Sequence, residues 1–425
     1  MKEIQSLKIK EKLKEITEQI FSGGTPDTRR EEYWNGNIPW LSSGETRQTF
    51  IRDTEKKITQ SGVENSSTRL AKVEDVVVAG AGQGYTRGQT SFCLIDTYVN
   101  QSVVVLRAKK GRISPFFLFY NLLSRYDELR QISDAHSSRG SLTTKLFAEL
   151  TIKLPPLKEQ KIISQILSNL DFKIELNQQM NKTLEAMGQA IFKHWFVDFE
   201  FPDEKGRPYK SSGGEMVYSE ELGKEIPRGW EVKIIADFCK VRRGSSPRPV
   251  GDPKYFGGSI PWIKIADATR ENSTFLWSTR ETVTEDGKKK SVFQPAGSLI
   301  VSNSATIGLP IFLGIGGCIH DGWLYFENLN KISREYLYFY IKNIQKHLNT
   351  IGDGSVQKNL NTDLMGMQQI IVPTEEKMKI FTEASSSIFN IIKNNDMETI
   401  TLKQIRDSLL PKLMSGKIRV PVGVT

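Results

Sequence analysis

The sequence predicts an α+β protein built from two similar domains and a pair of long helices. Three observations predict it. Short motifs recur in the same order about half a chain apart, and each copy is followed by a heptad-patterned stretch. At 425 residues the chain is also too long for one ordinary core.

The repeat starts with GGTP at 23–26, matched by GSSP at 244–247. YWNGNIPWL (33–41) then faces YFGGSIPWI (255–263), and EDVVVAG (74–80) faces GSLIVSN (297–303). RISPFFLFY (112–120) faces KISREYLYF (331–339), RGSLTTKL (139–146) faces DGSVQKNL (353–360), and KLPP (153–156) faces IVPT (371–374). The offset drifts between 214 and 223 residues, as loop insertions require. Within each copy DVVVA, QSVVVLRA and SLIVS read as buried strands between Gly-, Ser- and Asn-rich turns. SPFFLFYNLLSRYDELRQI and SREYLYFYIKNIQKHL have helical length and period. The paired IPW motifs (38–40, 260–262) are read as core.

The heptads follow each copy. Steps of three and four give Ile163, Ile166, Leu170, Lys173, Asn177, Met180, Leu184, Met187 and Ile191. The second series is Phe381, Ala384, Ile388, Ile391, Asn395, Glu398, Leu402, Ile405 and Leu409. Seven of nine positions are apolar in each, and both carry Asn at the fifth place, which favours a helix pair with a register-fixing polar residue. Pro155-Pro156 and Pro373-Thr374 mark the starts. The expected boundaries are a first domain at 1–156, a spacer helix at 157–195, a linker at 196–228, a second domain at 229–374, and a helix with tail at 375–425.

Lys and Arg exceed Asp and Glu to give a net charge of +9 and a pI near 9.2, which favours a polyanion such as nucleic acid. Cys93, Cys239 and Cys318 form no CxxC pair, so neither a disulfide framework nor a zinc cluster is expected. The charged N-terminal stretch MKEIQSLKIKEKLKEI lacks the apolar run of a secretion signal, and no run of about 18 apolar residues occurs. A cytoplasmic protein without membrane contact is expected.

Catalytic signatures are missing. VVVAGAGQG (76–84) resembles a glycine-rich nucleotide loop, but the second copy has LIVSNSATIG there, so a tight turn after a strand is preferred. The only Pro-Pro lies in LPPL, without the polar and aromatic neighbours of an amino-methylase loop. No GxxxxGK[ST] loop is present, PDEK (202–205) reads as a turn, and His136, His194, His320 and His347 lack metal-ligand spacing. The expectation is a non-catalytic binding protein with no catalytic residue, cofactor or metal.

DNA reading needs Lys and Arg for phosphates and Arg, Lys, Asn or Gln for base edges. Candidate loops recur in both copies. The first holds Arg29 and Arg30 against Arg242, Arg243 and Arg248. The second holds Gln83, Tyr85 and Arg87 against Ser302, Asn303, Ser304 and Thr306. The third holds Ser138, Arg139, Ser141, Thr143 and Lys145 against Ser355, Gln357, Lys358 and Asn359.

With these motifs in place, the layout resembles the specificity (S) subunits of Type I restriction-modification systems. The resemblance rests on IPW after a Gly/Ser-rich turn, GSLTTKL and GSVQKNL before the helices, and LPPLKEQKII opening the first helix. FKHWFVDFEF, EIPRGWEV and LLPKLMSGKIRV complete it, and it covers nearly the whole chain, although the first repeat lacks a counterpart of Gly229-Trp230. It implies two target recognition domains reading the halves of a bipartite, gapped site in double-stranded DNA. It also implies an antiparallel coiled coil, docking of two DNA methyltransferase (M) subunits, and recruitment of restriction/translocase (R) subunits. The alternatives are a non-catalytic protein–protein scaffold of two repeated domains, separated by salt-dependent DNA binding, and a complete methylase, which the missing loops disfavour.

Overall fold

Branched side chains pack well on a pleated surface, so the valine- and isoleucine-rich runs form strands. The computed structural model describes residues 9–136, 140–271, 273–353 and 359–421. The chain divides into two units, Met1–Glu175 with Ile400–Thr425, and Leu176–Thr399.

The first unit contains a five-stranded sheet in the order Thr17–Ser22, Val103–Ala108, Val76–Ala79, Thr90–Cys93, Phe50–Ile51. A four-stranded sheet runs Lys56–Ile58, Trp34–Leu41, Thr97–Val99, Arg69–Ala71, and Ile9–Lys12 pairs with Thr151–Leu154. Val76 to Ala79 are all buried, as expected of a strand covered on both faces. The second unit repeats this topology strand for strand. Its five-stranded sheet runs Lys240–Arg243, Trp323–Glu327, Leu299–Ser302, Pro310–Leu313, Phe275–Leu276. Its four-stranded sheet runs Glu281–Val283, Phe256–Ile263, Gly317–Ile319, Val292–Gln294, and Glu231–Ile234 pairs with Gln369–Val372.

The duplication extends to register. Trp40 and Leu41 pair in parallel with Tyr98 and Val99, as Trp262 and Ile263 do with Cys318 and Ile319. Both IPW strands carry a register shift at the same place, between Trp34 and Ile38 and between Phe256 and Ile260. Trp40 and Trp262 are buried, and the Trp40 indole donates to the Gly24 carbonyl at 3.3 Å, tying the strand to the GGTP turn.

The spacer stretches form two continuous helices, Leu157–Phe196 and Glu375–Ser415. At 40 and 41 residues each is about 60 Å long. They run antiparallel within each unit. In the first, Arg406 meets Asp171 at 2.6 Å, and Arg419, in the tail just past the second helix, meets Glu159 at 2.7 Å. In the second, Asn177 Nδ2 donates to Glu398 Oε2 at 2.8 Å, Asn181 Nδ2 to Asp396 Oδ1 at 2.7 Å, and Asn395 Nδ2 to Asn181 Oδ1 at 2.9 Å.

The seam differs from the apolar series read in the sequence. Ile166, Met180, Met187, Ile391 and Ile405 are exposed, whereas Ile163, Leu167, Ile174, Asn177, Ser385, Phe389, Ile392 and Thr399 are buried. From Ile163 the step to the next inward position is four residues rather than three. Small and polar side chains such as Ser164, Ser168 and Asp171 fill inward places because the sheet domain, as well as the other helix, covers that face.

Each unit fastens both helices to its domain. In the first, Phe172 stacks on Phe50 at 4.6 Å, Tyr120 donates to Asp171 at 2.8 Å, and Arg52 pairs with Glu175 at 2.8 Å. In the second, Phe192 and Phe196 pack on Tyr336 and Phe381, and Gly188 allows the ring of Phe339 to approach. Trp277 Nε1 and Ser273 Oγ both donate to Asp396 Oδ2 at 2.9 Å. The stretch after the central helix is more ordered than a chain of turns. It forms the hairpin Met216–Ser219 with Lys224–Pro227, and Phe201 stacks between Tyr209 and Trp230.

Candidate nucleic-acid interface

The three candidate loops of each copy meet, and equivalent backbone hydrogen bonds bring them together. In the first unit Gly23 and Gly24 N–H donate to Asn100 and Val99, Gly80 N–H to Ser102 O at 2.7 Å, and Leu142 N–H to Gly80 O at 2.8 Å. In the second, Ser245 N–H donates to Ile319 O, Asn303 N–H to Gly322 O at 2.8 Å, and Leu360 N–H to Asn303 O at 2.8 Å. The turns require glycine here. A Cβ on Gly23 would stand 1.9 Å from Val99 O, and one on Gly244 2.3 Å from His320 O.

These bonds correct one pairing. Leu142 corresponds to Leu360, and the helix caps agree: Thr143 Oγ1 accepts from Leu146 N–H at 3.2 Å, and Asn361 Oδ1 accepts from Leu364 N–H at 2.7 Å. SLTTKL therefore matches NLNTDL rather than SVQKNL. Arg139, Gln357 and Lys358 lie outside the described residues, as do Ser138 and Ser355.

In the first unit Arg29 and Arg30 are exposed. Arg29 makes a two-pronged bond to Asp27, which holds that carboxyl down to about 2, and Arg30 lies over the Tyr33 ring. Gln83 and Tyr85 are exposed on the second loop. The loop is held from behind, with Tyr126 Oη donating to Tyr85 O at 2.9 Å and Arg130 Nη1 to Gly84 O at 2.7 Å. Arg87 departs from the expected exposed reader. It is buried, pairs with Asp134, and donates to Gly140 O at 3.2 Å, bracing the second loop against the third. Ser141 and Lys145 are exposed, and so is Thr143, although its hydroxyl oxygen caps the helix Thr144–Glu149.

In the second unit strand alternation sends Arg242 and Arg243 to opposite faces. Arg242 pairs with Glu327 at 3.1 Å, away from the loops. Arg243 Nε donates to Asp321 O at 2.6 Å, and Arg248 Nη2 stands 3.6 Å from Asp321 Oδ2. Asn303 also departs from expectation, being buried with its amide donating to Asp321 O at 3.0 Å. Ser304 and Asn359 are half-buried, while the loop's Ser302 is fully buried and Thr306 exposed.

The turn 320–322 was not singled out by sequence reasoning, yet its counterpart 100–102 shows what it does. Ser102 N–H donates to Asn100 Oδ1 at 2.9 Å, and Gly322 N–H donates to His320 Nδ1 at 2.8 Å. Accepting that bond requires neutral imidazole with the proton on Nε2. Burial lowers the His320 pKa, outweighing the opposing pull of Asp321. Burial acts to raise Asp321, but the Ser246 hydroxyl, His320, Arg243 and Arg248 outweigh it and leave the carboxyl below its usual range. Among the described residues, no His, Cys, Asp and Glu group could hold a metal, and no helix is long and apolar enough to cross a membrane.

Two copies of one α+β domain, each gathering equivalent loops and closed by a stretch of paired helix, define a protein of duplicated α+β architecture. More particularly, the chain belongs to the family described as the Type I restriction modification DNA specificity domain, whose model matches residues 8–186 and 227–408. It is 28% identical to the Type I restriction enzyme MjaIX specificity subunit of Methanocaldococcus jannaschii, over 96% of this chain and 93% of that one. It is 29% identical to the HindI specificity subunit of Haemophilus influenzae, over 76% of this chain and 82% of the other. The crystal structure of the Type-I restriction-modification system S subunit from M. genitalium shares the fold, with a TM-score of 0.61 at 15% identity, covering 97% of this chain and 98% of that one.

Proposed function

We propose that the chain is the DNA-binding specificity subunit of a Type I restriction-modification enzyme and acts in the cytoplasm. Each domain reads one half of a bipartite target, and the two helices set the gap. The helices also dock two methyltransferase subunits, and restriction subunits join through the complex. The observation that carries this reading is the family match over both repeats, each of which gathers its loops through the same hydrogen bonds.

Within the reading surface, Arg29, Arg30, Gln83, Tyr85, Ser141 and Lys145 supply the first half-site's contacts, and Arg243, Arg248, Ser304 and Asn359 the second's. Arg87, Thr143 and Asn303 hold their loops in shape. Arg139, Gln357 and Lys358 belong to the same proposal from sequence position.

The test is reconstitution. The purified chain alone should transfer no methyl group from S-adenosylmethionine, and adding the methyltransferase subunits should give modification at one bipartite site. DNA affinity should fall steeply with salt, as phosphate contacts require. Robust methylation by the chain alone, or salt-independent binding, would overturn the proposal.

A further inference from the structure

The two loop clusters share a backbone, and one of their differences in charge lies at the middle residue of the turn that joins the first two loops. In the first unit this residue is Gln101, whose Oε1 accepts from the Thr25 hydroxyl at 2.5 Å. In the second it is Asp321, whose Oδ1 accepts from the Ser246 hydroxyl at 2.8 Å. A carboxylate there draws cations that an amide does not. Arg248 Nη2 stands 3.6 Å from Oδ2, while the neutral His320 imidazole holds Nε2 2.9 Å from Oδ1 and Arg243 donates to the backbone carbonyl of the same residue. The Asp321 side chain is 30% exposed and that of Arg248 is 69% exposed. The carboxylate thus stands beside one guanidinium nitrogen while most of the Arg248 side chain remains exposed to solvent.

A guanidinium steadied by a carboxylate beside it presents two parallel donors, the pattern that matches O6 and N7 of guanine in the major groove. We propose that Asp321 is a specificity-determining positioning residue of the second domain. It orients Arg248 to read a guanine, so the second half-site contains a G·C pair whose recognition depends on Asp321. Gln101 gives the first domain no such device. This inference rests on the proposed function and deepens it.

The test uses the full chain assembled with its methyltransferase subunits and the methylated motif of the wild-type complex. Competition binding then scores oligonucleotides substituted at each guanine of that motif. Arg248→Gln and Asp321→Asn should each reduce discrimination at the same guanine by roughly tenfold or more. That guanine should lie in the half-site left unchanged by Lys145→Ala. Asp321→Asn should leave the other half-site's discrimination intact, and the unmodified thermal unfolding midpoint of Arg248→Gln should show that an exposed side chain was changed. If Asp321→Asn does not fold, Arg248→Gln together with Arg248→Lys, which keeps the charge but not the fork, carries the same test. A bipartite motif whose second half lacks guanine, or keeps full discrimination in these variants, would overturn this inference and leave the proposed function standing. Absence of any bipartite motif would overturn both.

Discussion

Arg406 gives the sharpest handle on the helix pair. It lies on the C-terminal helix, with Nη1 2.6 Å from Oδ1 of Asp171 on the central helix, while the Tyr120 hydroxyl donates to Oδ2 at 2.8 Å. The Asp171 side chain is 2% exposed and that of Arg406 19% exposed. Arg406→Met would leave a buried carboxylate with the Tyr120 hydroxyl alone among these partners, and should lower the stability of the first unit by about 3–5 kcal/mol. Replacing both ends in Asp171→Leu/Arg406→Met/Tyr120→Phe removes the stranded charge and its donors together. That variant should recover most of the loss, because well-packed apolar replacements of a buried pair are often close to neutral, at about 0–2 kcal/mol. Urea unfolding followed by circular dichroism and tryptophan fluorescence measures all variants, and a double-mutant cycle isolates the Asp171–Arg406 coupling. A loss below about 1 kcal/mol for Arg406→Met, the value of an exposed pair, would refute the buried pairing of the two helices in this unit.

The remaining predictions concern the second unit and the helices. His320 has a lowered pKa, so its contribution to stability is complete above about pH 6.5, its ordinary value, and declines as pH falls through the lowered one. Protonation puts an N–H against the Gly322 N–H, with Asp321, Lys264, Arg243 and Arg248 as the charged neighbours. His320→Asn copies the Asn100 turn of the first unit and should flatten the pH dependence of unfolding below about pH 6.5; an unchanged profile would exclude His320 as its source. A Cβ on Gly188 would stand 2.3 Å from the ring of fully buried Phe339, so Gly188→Leu should cost about 1–3 kcal/mol in urea unfolding, whereas Met187→Leu, on the exposed face, should cost almost nothing. Deleting Leu176–Lys182 and Met397–Lys403 together removes one heptad per helix, about 10 Å, and spares Glu175, Glu185, Asp396 and Arg406. The preferred gap should shorten by about three base pairs at roughly 3.4 Å each, or binding should fail; an unchanged gap at full affinity would rule out the helices as its ruler.

Much of the fold was legible because it rests on local pattern. The VVV and LIV runs, the burial of the two IPW tryptophans and the long helices follow from residue type and period alone. The inward face of the helices was less legible. Ile163–Ile166 and Ile163–Leu167 are both apolar steps, and the choice between them is made by domain surfaces distant in sequence. The same distance hid the fate of Arg87 and Asn303. Their partners Asp134, Gly140 and Asp321 become neighbours only when the chain folds. The misplaced pairing of the third loops came from matching GSL with GSV, although the shared Leu-Thr/Asn-Thr pattern beginning at Leu142 and Leu360 was available. His320-Asp321-Gly322 was overlooked because it resembles Asn100-Gln101-Ser102 in hydrogen bonding rather than in residue type.

The central claim is that two independent readers lie in one chain, and the methylome of a host expressing the chain with its methyltransferase subunits tests it most directly. Wild type should yield one bipartite motif with a fixed gap. Lys145→Ala should relax only one half of that motif, and Arg248→Gln only the other. A single continuous motif, or two variants that relax the same half, would contradict the account.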